Sequence, residues 1–293
     1  MRIFTYRGVL GPIFLFFISC NIKPLPVPYL VQDLRVVSMI ADPPEAQPGQ
    51  TVKISAYFAD PEQQADKISV FFAECKDEGE NSGYYDCLYK NSYHEIAAER
   101  VEQMSADGLF WKASVSYVIP LDSLQGKSPL AAAYGFYKTF LVRVRNEKRK
   151  IDAFKRIVVS AQLPIKANRN PIFTGLLVYE GEQLKDLKTP DAALVCGEKY
   201  FFKPVYDPDS IQLYQLLDYQ QKPVDLTEQA IFSWSCSMDC EIAKPVSSDD
   251  TQVGIIVPKE CDTSKPFSVY SVMRDTRGGE SYQMIQVPIK KKS

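Results

Sequence analysis

The chain has 293 residues, 45% of them hydrophobic and 24% charged, a globular composition with room for two cores and neither a disordered nor a polytopic membrane chain. Its formal net charge of −2 excludes nucleic acid as an expected partner, because such binding rests on dense Lys and Arg contacts to phosphates. The 17 Tyr, 16 Phe and 20 Pro combine strand formers with strand interrupters, which leans towards β structure.

Residues 1–19 read as a signal peptide. Arg2 and Arg7 flank the start, and Val9 to Ile18 is apolar apart from Gly11 and Pro12. A run of that length is too short to cross a ~30 Å hydrocarbon core as a helix, so it is expected to be cleaved. Ile18-Ser19-Cys20 resembles the lipobox of bacterial lipoproteins, with Phe17 where Leu is usual. That resemblance implies that Cys20 carries lipid, anchors the chain to a membrane and begins the mature protein. Asn21 then lacks the Asp that holds lipoproteins at the inner membrane of enteric bacteria, so the outer membrane is the expected site, with the modules facing the periplasm or the surface. Residues 20–33 form a tether: Pro24, Pro26 and Pro28 favour an extended spacer rising ~3.1 Å per residue, about 25 Å in all.

Strand patterns fill residues 34–160. Leu34 to Ile40 stops at Asp42-Pro43-Pro44, and Pro48-Gly49 leads into Thr51 to Phe58, where Val52, Ile54, Ala56 and Phe58 alternate with polar residues as in a half-buried strand. Asp60-Pro61-Glu62 ends that run. Ile68 to Cys75 and Phe110 to Ile119 follow, and Tyr137 to Arg145 is expected to pair with Ile151 to Val159 across a polar turn. Only Pro120 to Ala133 has room for a short helix. Residues 161–170 are polar and irregular and are read as a linker.

Residues 171–293 repeat the pattern. Phe173 to Tyr179 opens it, and Tyr200 to Tyr206 runs into Asp207-Pro208-Asp209 as Ala56 to Ala59 runs into Asp60-Pro61-Glu62. Phe232 to Cys236 answers Phe71 to Cys75 after an insertion near Ile211 to Leu226. Phe267 to Met273 and Ser281 to Val287 close a hairpin around Asp275-Thr276-Arg277-Gly278-Gly279. Two diverged copies of one sandwich account for this order. The fold expected is therefore all-β, two tandem antiparallel β-sandwiches behind a signal peptide and a proline-rich tether.

A strand entering Asp-Pro-Glu or Asp-Pro-Asp, with a last hairpin turning at Asp-x-Arg-Gly-Gly, resembles the PKD, cadherin-like and bacterial Ig-like modules of secreted proteins. Together with Ala41-Asp42-Pro43-Pro44-Glu45 and Asn168-Arg169-Asn170-Pro171, the arrangement resembles uncharacterised envelope lipoproteins of predatory and gliding bacteria. The resemblance covers Leu34 to Ile289 and implies Ig-like sandwiches. Its residues fix turns and specify no ligand.

With Cys20 lipidated, six cysteines remain, and an oxidising envelope favours disulfides. If the halves are copies, Cys75 corresponds to Cys236, which makes Cys75–Cys87 and Cys236–Cys240 equivalent bridges. Cys196 and Cys261 are left. In an Ig-like topology they begin strands at one end of facing sheets, which makes their bridge feasible, one of three connectivities open to four cysteines. A bridge of that span removes on the order of 4 kcal/mol of loop entropy from the unfolded chain. The rival reading, a four-thiolate zinc site, lacks paired C-x2-C knuckles.

Asp60, Glu62, Asp207 and Asp209 offer oxygens suited to calcium, two per turn, against the reading that they are solvated turns. Tyr84, Tyr85, Tyr89, Tyr93 and His94 crowd the loop after Cys75, where aromatic faces suit a protein interface or a sugar ring; the rival reading folds them back over the sheet edge. No enzyme is expected. His94 is the only histidine, and the chain has no H-E-x-x-H, no G-x-S-x-G and no phosphate-cradling Gly-rich loop. No cofactor is implied. The function expected is non-catalytic binding or adhesion at the envelope, contacting a protein or glycan through loops; the alternatives are a periplasmic scaffold subunit and, behind it, a hydrolase.

Overall fold

The computed structural model describes residues 29–61, 67–76, 87, 93–105, 108–162, 166–187, 192–217, 220, 222–248 and 251–292. The expected signal peptide, Cys20, most of the tether, Glu62, Tyr84, Tyr85 and Tyr89 lie outside the described residues. The fold is all-β, two sandwiches in tandem. Among the described residues no helix is long and apolar enough to cross a membrane.

The first sandwich comprises β1 (Arg35–Asp42), β2 (Glu45–Ala46), β3 (Thr51–Ala59), β4 (Ser69–Cys75), β5 (Tyr93–Ile96), β6 (Arg100–Gln103), β7 (Phe110–Val118), β8 (Phe136–Arg145) and β9 (Lys150–Val159). One sheet runs β1-β3-β7-β6 and the other β2-β9-β8-β4-β5. Pro43 and Pro44, which cannot donate to a ladder, separate β1 from β2, and the chain changes sheets there: β1 pairs antiparallel with β3, β2 parallel with β9. The alternating Val52, Ile54, Ala56 and Phe58 face the core together with Phe72, Trp111, Phe140 and Val142. Between β7 and β8 a short helix, α1 (Pro129–Tyr134), starts on Ser128, whose Oγ accepts from Ala131 N at 3.1 Å.

The second sandwich comprises β10 (Phe173–Glu180), β11 (Gln183–Leu184), β12 (Leu194–Val195), β13 (Lys199–Tyr206), β14 (Leu213–Leu217), β15 (Pro223–Thr227), β16 (Ile231–Cys236), β17 (Glu241–Ile242), β18 (Val246–Ser248), β19 (Val253–Ile256), β20 (Phe267–Arg274), β21 (Glu280–Val287) and β22 (Ile289–Lys290). Its sheets run β11-β10-β13-β19-β17 and β18-β16-β20-β21, and β12 pairs parallel with β22 as β2 does with β9. The core is built on Tyr200, Phe202, Phe232, Trp234 and Phe267. The insertion forms the β14–β15 hairpin, which belongs to neither sheet. One order differs between the copies. After β4 the chain first extends the same sheet through β5, whereas after β16 it crosses at once to β19 through β17 and only then returns as β18. The Cys236–Cys240 bridge, closing a separation of 4, forces that immediate reversal.

The sandwiches lie side by side. Tyr57, Ala59, Leu109 and Phe110 on the outer face of the first pack on Tyr270 and Val272 of the second, with Tyr282 and Met284 at the margin. The Tyr57 and Tyr282 rings are 4.0 Å apart, and Phe110 stacks on Tyr270 at 5.4 Å. Burial pushes the Tyr57, Tyr270 and Tyr282 phenols upward, so the interface stays neutral across the physiological range.

Tie points fix both ends of this arrangement. At the linker end Arg277, in the β20–β21 turn, reaches Glu45 at 3.0 Å and Glu228 at 3.5 Å, and Lys155 donates to Gly278 O at 2.8 Å. At the opposite end residues 29–33, expected to stand clear as tether, instead cross the second sandwich. Leu30 bridges to Cys236, Gln32 donates to Asp239 at 2.8 Å, and Asp33 pairs with Arg149 of the first sandwich at 2.9 Å. Backbone donors at the end of β16 attract this extended segment, which a spacer without partners would forgo. Tyr29 and Lys290 therefore sit at the same end of the molecule.

Candidate functional site

The linker end, away from Tyr29, gathers most of the large exposed apolar side chains. In the first sandwich these are Val118 at the end of β7 and Leu121 and Leu130 in the connection to β8, with Leu121 84% exposed. Ile119 is fully buried and pins this connection to the core, and Gly49 N donates to its carbonyl at 2.8 Å. Gly135, at φ 83°, ends α1 where a Cβ would strike Val158, so the connection must turn tightly there.

In the second sandwich the β14–β15 hairpin supplies the rest. Its pairing places Tyr214, Leu226, Leu216 and Val224 on one face, and Leu216, Val224 and Leu226 are all exposed. The Arg277 guanidinium covers the Tyr214 ring at 4.8 Å. The root is rigid: Gln212 N donates to Glu228 at 2.8 Å, while the Gln212 carboxamide accepts from Arg169 N in the linker at 2.9 Å. The same arginine thus holds the two sandwiches and the hairpin together.

Cys75 and Cys87 are bonded, and β4 delivers that bridge to the same end. Of the predicted aromatic set, Tyr93 packs edge-on against Phe71 at 5.7 Å, and His94 is exposed on β5. Cys87 is buried against Ala73 and Leu141 on the outer face of the sheet. That face in the second sandwich is the one covered by the first. Below it, Glu74 accepts from Lys138 and from Tyr117 Oη, the latter at 2.6 Å, a charged cluster closed on itself inside the core.

The other predicted residues are dispersed. Asp60 is buried and accepts from Asn146 Nδ2 at 3.1 Å beneath the β8–β9 turn. Asp207 caps a short 3-10 turn by accepting from Asp209 N at 3.0 Å, and Asp209 points to solvent. Among the described residues no three His, Cys, Asp or Glu side chains gather where a metal ion would sit. Cys196–Cys261 and Cys236–Cys240 are bonded at the opposite end, beside Lys290 and Tyr29 respectively. Sequence reasoning missed the apolar face of the hairpin and the locking role of Arg277. The first was visible as Leu216 with Val224-x-Leu226 inside the insertion.

No family model matches the chain, and no curated protein matches it. Solved structures with overlapping outlines include a titin Z1Z2 tandem at 10% identity, covering 88% of this chain and 99% of that one with a TM-score of 0.23. The Ig1-2 module of a Drosophila receptor tyrosine phosphatase, DLAR, stands at 8% identity, 88% and 99% coverage and 0.25. The Yersinia pseudotuberculosis adhesin InvE stands at 10%, 87%, 60% and 0.22. Superposition scores this low carry no argument about function.

Proposed function

We propose that this chain is a non-catalytic binding protein of the cell envelope, anchored through lipid on Cys20, that presents its linker end to a protein or glycan. The observation that carries the reading is the polarity of the molecule. The chain enters the described structure and leaves it at one end, while most of the large exposed apolar side chains of both sandwiches gather at the other. Apolar groups held on a rigid root suit an interface core, because burying them on a partner is favourable and little ordering is required.

Photo-crosslinking in intact cells tests it. A crosslinking side chain at Leu121 or Leu216 is expected to yield a discrete adduct, and the same group at Val101 or Leu184, exposed apolar positions elsewhere, is expected to yield none. Equal adducts at all four, or adducts only at Val101 and Leu184, overturn the reading. Protease shaving of the same cells decides whether the partner lies outside or in the periplasm.

A further inference from the structure

The β14–β15 hairpin is a ribbon of two strands, and among the described residues no other strand pairs with it. Such a ribbon is marginal in water, and a third strand with a shared apolar face is what ordinarily stabilises it. Its root is held at Gln212 and Glu228, but beyond the root it exposes Leu213 on one face and Leu216, Val224 and Leu226 on the other. The ladder shows which backbone groups the hairpin uses. Glu228 N donates to Gln212 O at 3.0 Å, and bonded rungs alternate from there, so Tyr214–Leu226 and Leu216–Val224 bond across the hairpin. Leu213, Gln215 and Leu217 on β14, and Thr227, Asp225 and Pro223 on β15, therefore turn their backbone groups outwards. The two outer edges differ. On β15 Pro223 has no N–H to offer and Asp225 adds charge, as His94 and Glu95 do on the edge strand β5 and Arg100 and Glu102 on β6. β14, Leu-Tyr-Gln-Leu-Leu, has neither charge nor proline.

We propose that the outer edge of β14 pairs antiparallel with β14 of a second molecule of this chain. The strand is its own complement. With a two-fold axis at Gln215, Leu213 meets Leu217 of the second molecule and Gln215 meets its counterpart, so the outward-facing residues of the two edges oppose one another and can bond. Tyr214 then lies across from the second molecule's Leu216, on the face that also carries Val224 and Leu226, and one apolar face widens over four strands in the order β15-β14-β14-β15. No charges meet along β14 in this register. A two-fold pairing through β15 would instead set Asp225 against itself and lack a donor at each Pro223. So small a contact is weak in dilute solution and strengthens where copies are concentrated, as they are when anchored to one membrane. The proposal shares the hairpin with the binding reading and goes beyond it, because the added strand comes from this chain itself and leaves Leu121 and Leu130 to the partner.

Single engineered cysteines in the purified full chain, oxidised with copper phenanthroline at rising protein concentration, test the register. Gln215→Cys sets two thiols opposite each other across the axis, with Cα atoms about 5.5 Å apart and within disulfide reach. Asp225→Cys lies on the same face, one strand further out, roughly 14 Å from its counterpart. Dimers linked through position 215, identified by peptide mass, are expected to form several-fold faster than those linked through 225. Equal rates, or faster linkage through 225, overturn the proposal. Gln215→Pro removes the central outward donor, which the β14–β15 ladder does not use, as Pro223 does on β15. In sedimentation equilibrium the native chain is expected to dimerise with rising concentration and the Gln215→Pro chain to do so several-fold more weakly. A native chain that stays monomeric to its solubility limit, or a proline variant that dimerises as the native chain does, overturns the proposal as well. A monomeric chain that still yields an adduct at Leu121 in cells removes the dimer and keeps the binding reading, and a dimer that yields none there does the reverse.

Discussion

Asp275 shows how one turn residue is made to do interface work. Its Oδ1 accepts from Arg277 N at 2.7 Å and Gly279 N at 2.8 Å, which shapes the turn, while the side chain is buried against the first sandwich. Gly279 has no room for a side chain there: a Cβ would collide with the Asp275 carboxylate and lie 2.9 Å from Arg169 O in the linker. Burial holds the Asp275 carboxyl above the ordinary carboxylate range, the turn amides offsetting part of that cost. Because its folded-state pKa is the higher one, the folded protein binds the proton first, and this group stabilises the fold increasingly as pH falls through that raised value. The gain is complete below the ordinary carboxylate value. Asp275→Asn keeps an acceptor for the two amides and cannot titrate. The melting temperature of the variant relative to the native chain is therefore expected to decline as pH is lowered from neutrality towards the ordinary carboxylate value. A difference that stays flat or grows on acidification would contradict this account.

At the scale of elements, most long strands are legible in the sequence because they alternate. β3 shows its period of two from Val52 to Phe58, and β8 and β9 pair across the polar turn that Asn146 organises by accepting from Lys148 N and Arg149 N. The two-residue strands β2, β12, β17 and β22 are not legible, since each exists only through the strand that a distant segment offers it. The Asp-x-Arg-Gly-Gly turn was legible as a turn and illegible as a lock. Nothing local shows that Arg277 meets Glu45, 232 positions away. Glu45 and Glu228 are both buried, and burial raises the Glu228 carboxyl; Ser160 and Asn168 N donate to the first and Gln212 N to the second, and Arg277 adds the positive charge that pairs with both. Arg277→Met is expected to cost about 3–5 kcal/mol in urea denaturation, much of it from the carboxylates left without their partner. Adding Glu45→Gln and Glu228→Gln is expected to recover part of that loss. A triple variant as unstable as the single one would show that the arginine acts through packing on Tyr214 instead.

The whole molecule depends on a face that the sequence signals only faintly. β20 is buried on both sides from Phe267 to Met273, where a strand with one solvated face would alternate. One side fills the core through Val269 and Met273, and the other, through Tyr270 and Val272, meets Phe110 and Tyr57 of the first sandwich. In the first sandwich Arg143 and Asp152 pair across the two strands that close the fold at 2.7 Å, whereas Val272 and Tyr282 pair across β20 and β21. The matching face of the first sandwich is instead taken up by this ion pair and by Cys87 and Tyr93, which cover Ala73, Leu141 and Phe71. Replacing Tyr282 and Met284 by Asp, together with Val31→Asp in the entering segment, puts charge into this contact while leaving both cores intact. Separated sandwiches solvate those charges fully, so each should still fold. In small-angle scattering the radius of gyration is then expected to rise from about 19 Å, the value for a compact body of this length, towards about 24 Å for two sandwiches swinging on the linker. Crosslinking through Leu121 and Leu216 to a single partner should weaken in the same variant, since the two groups no longer hold a fixed spacing. A variant that opens yet crosslinks as before would mean that each sandwich binds alone.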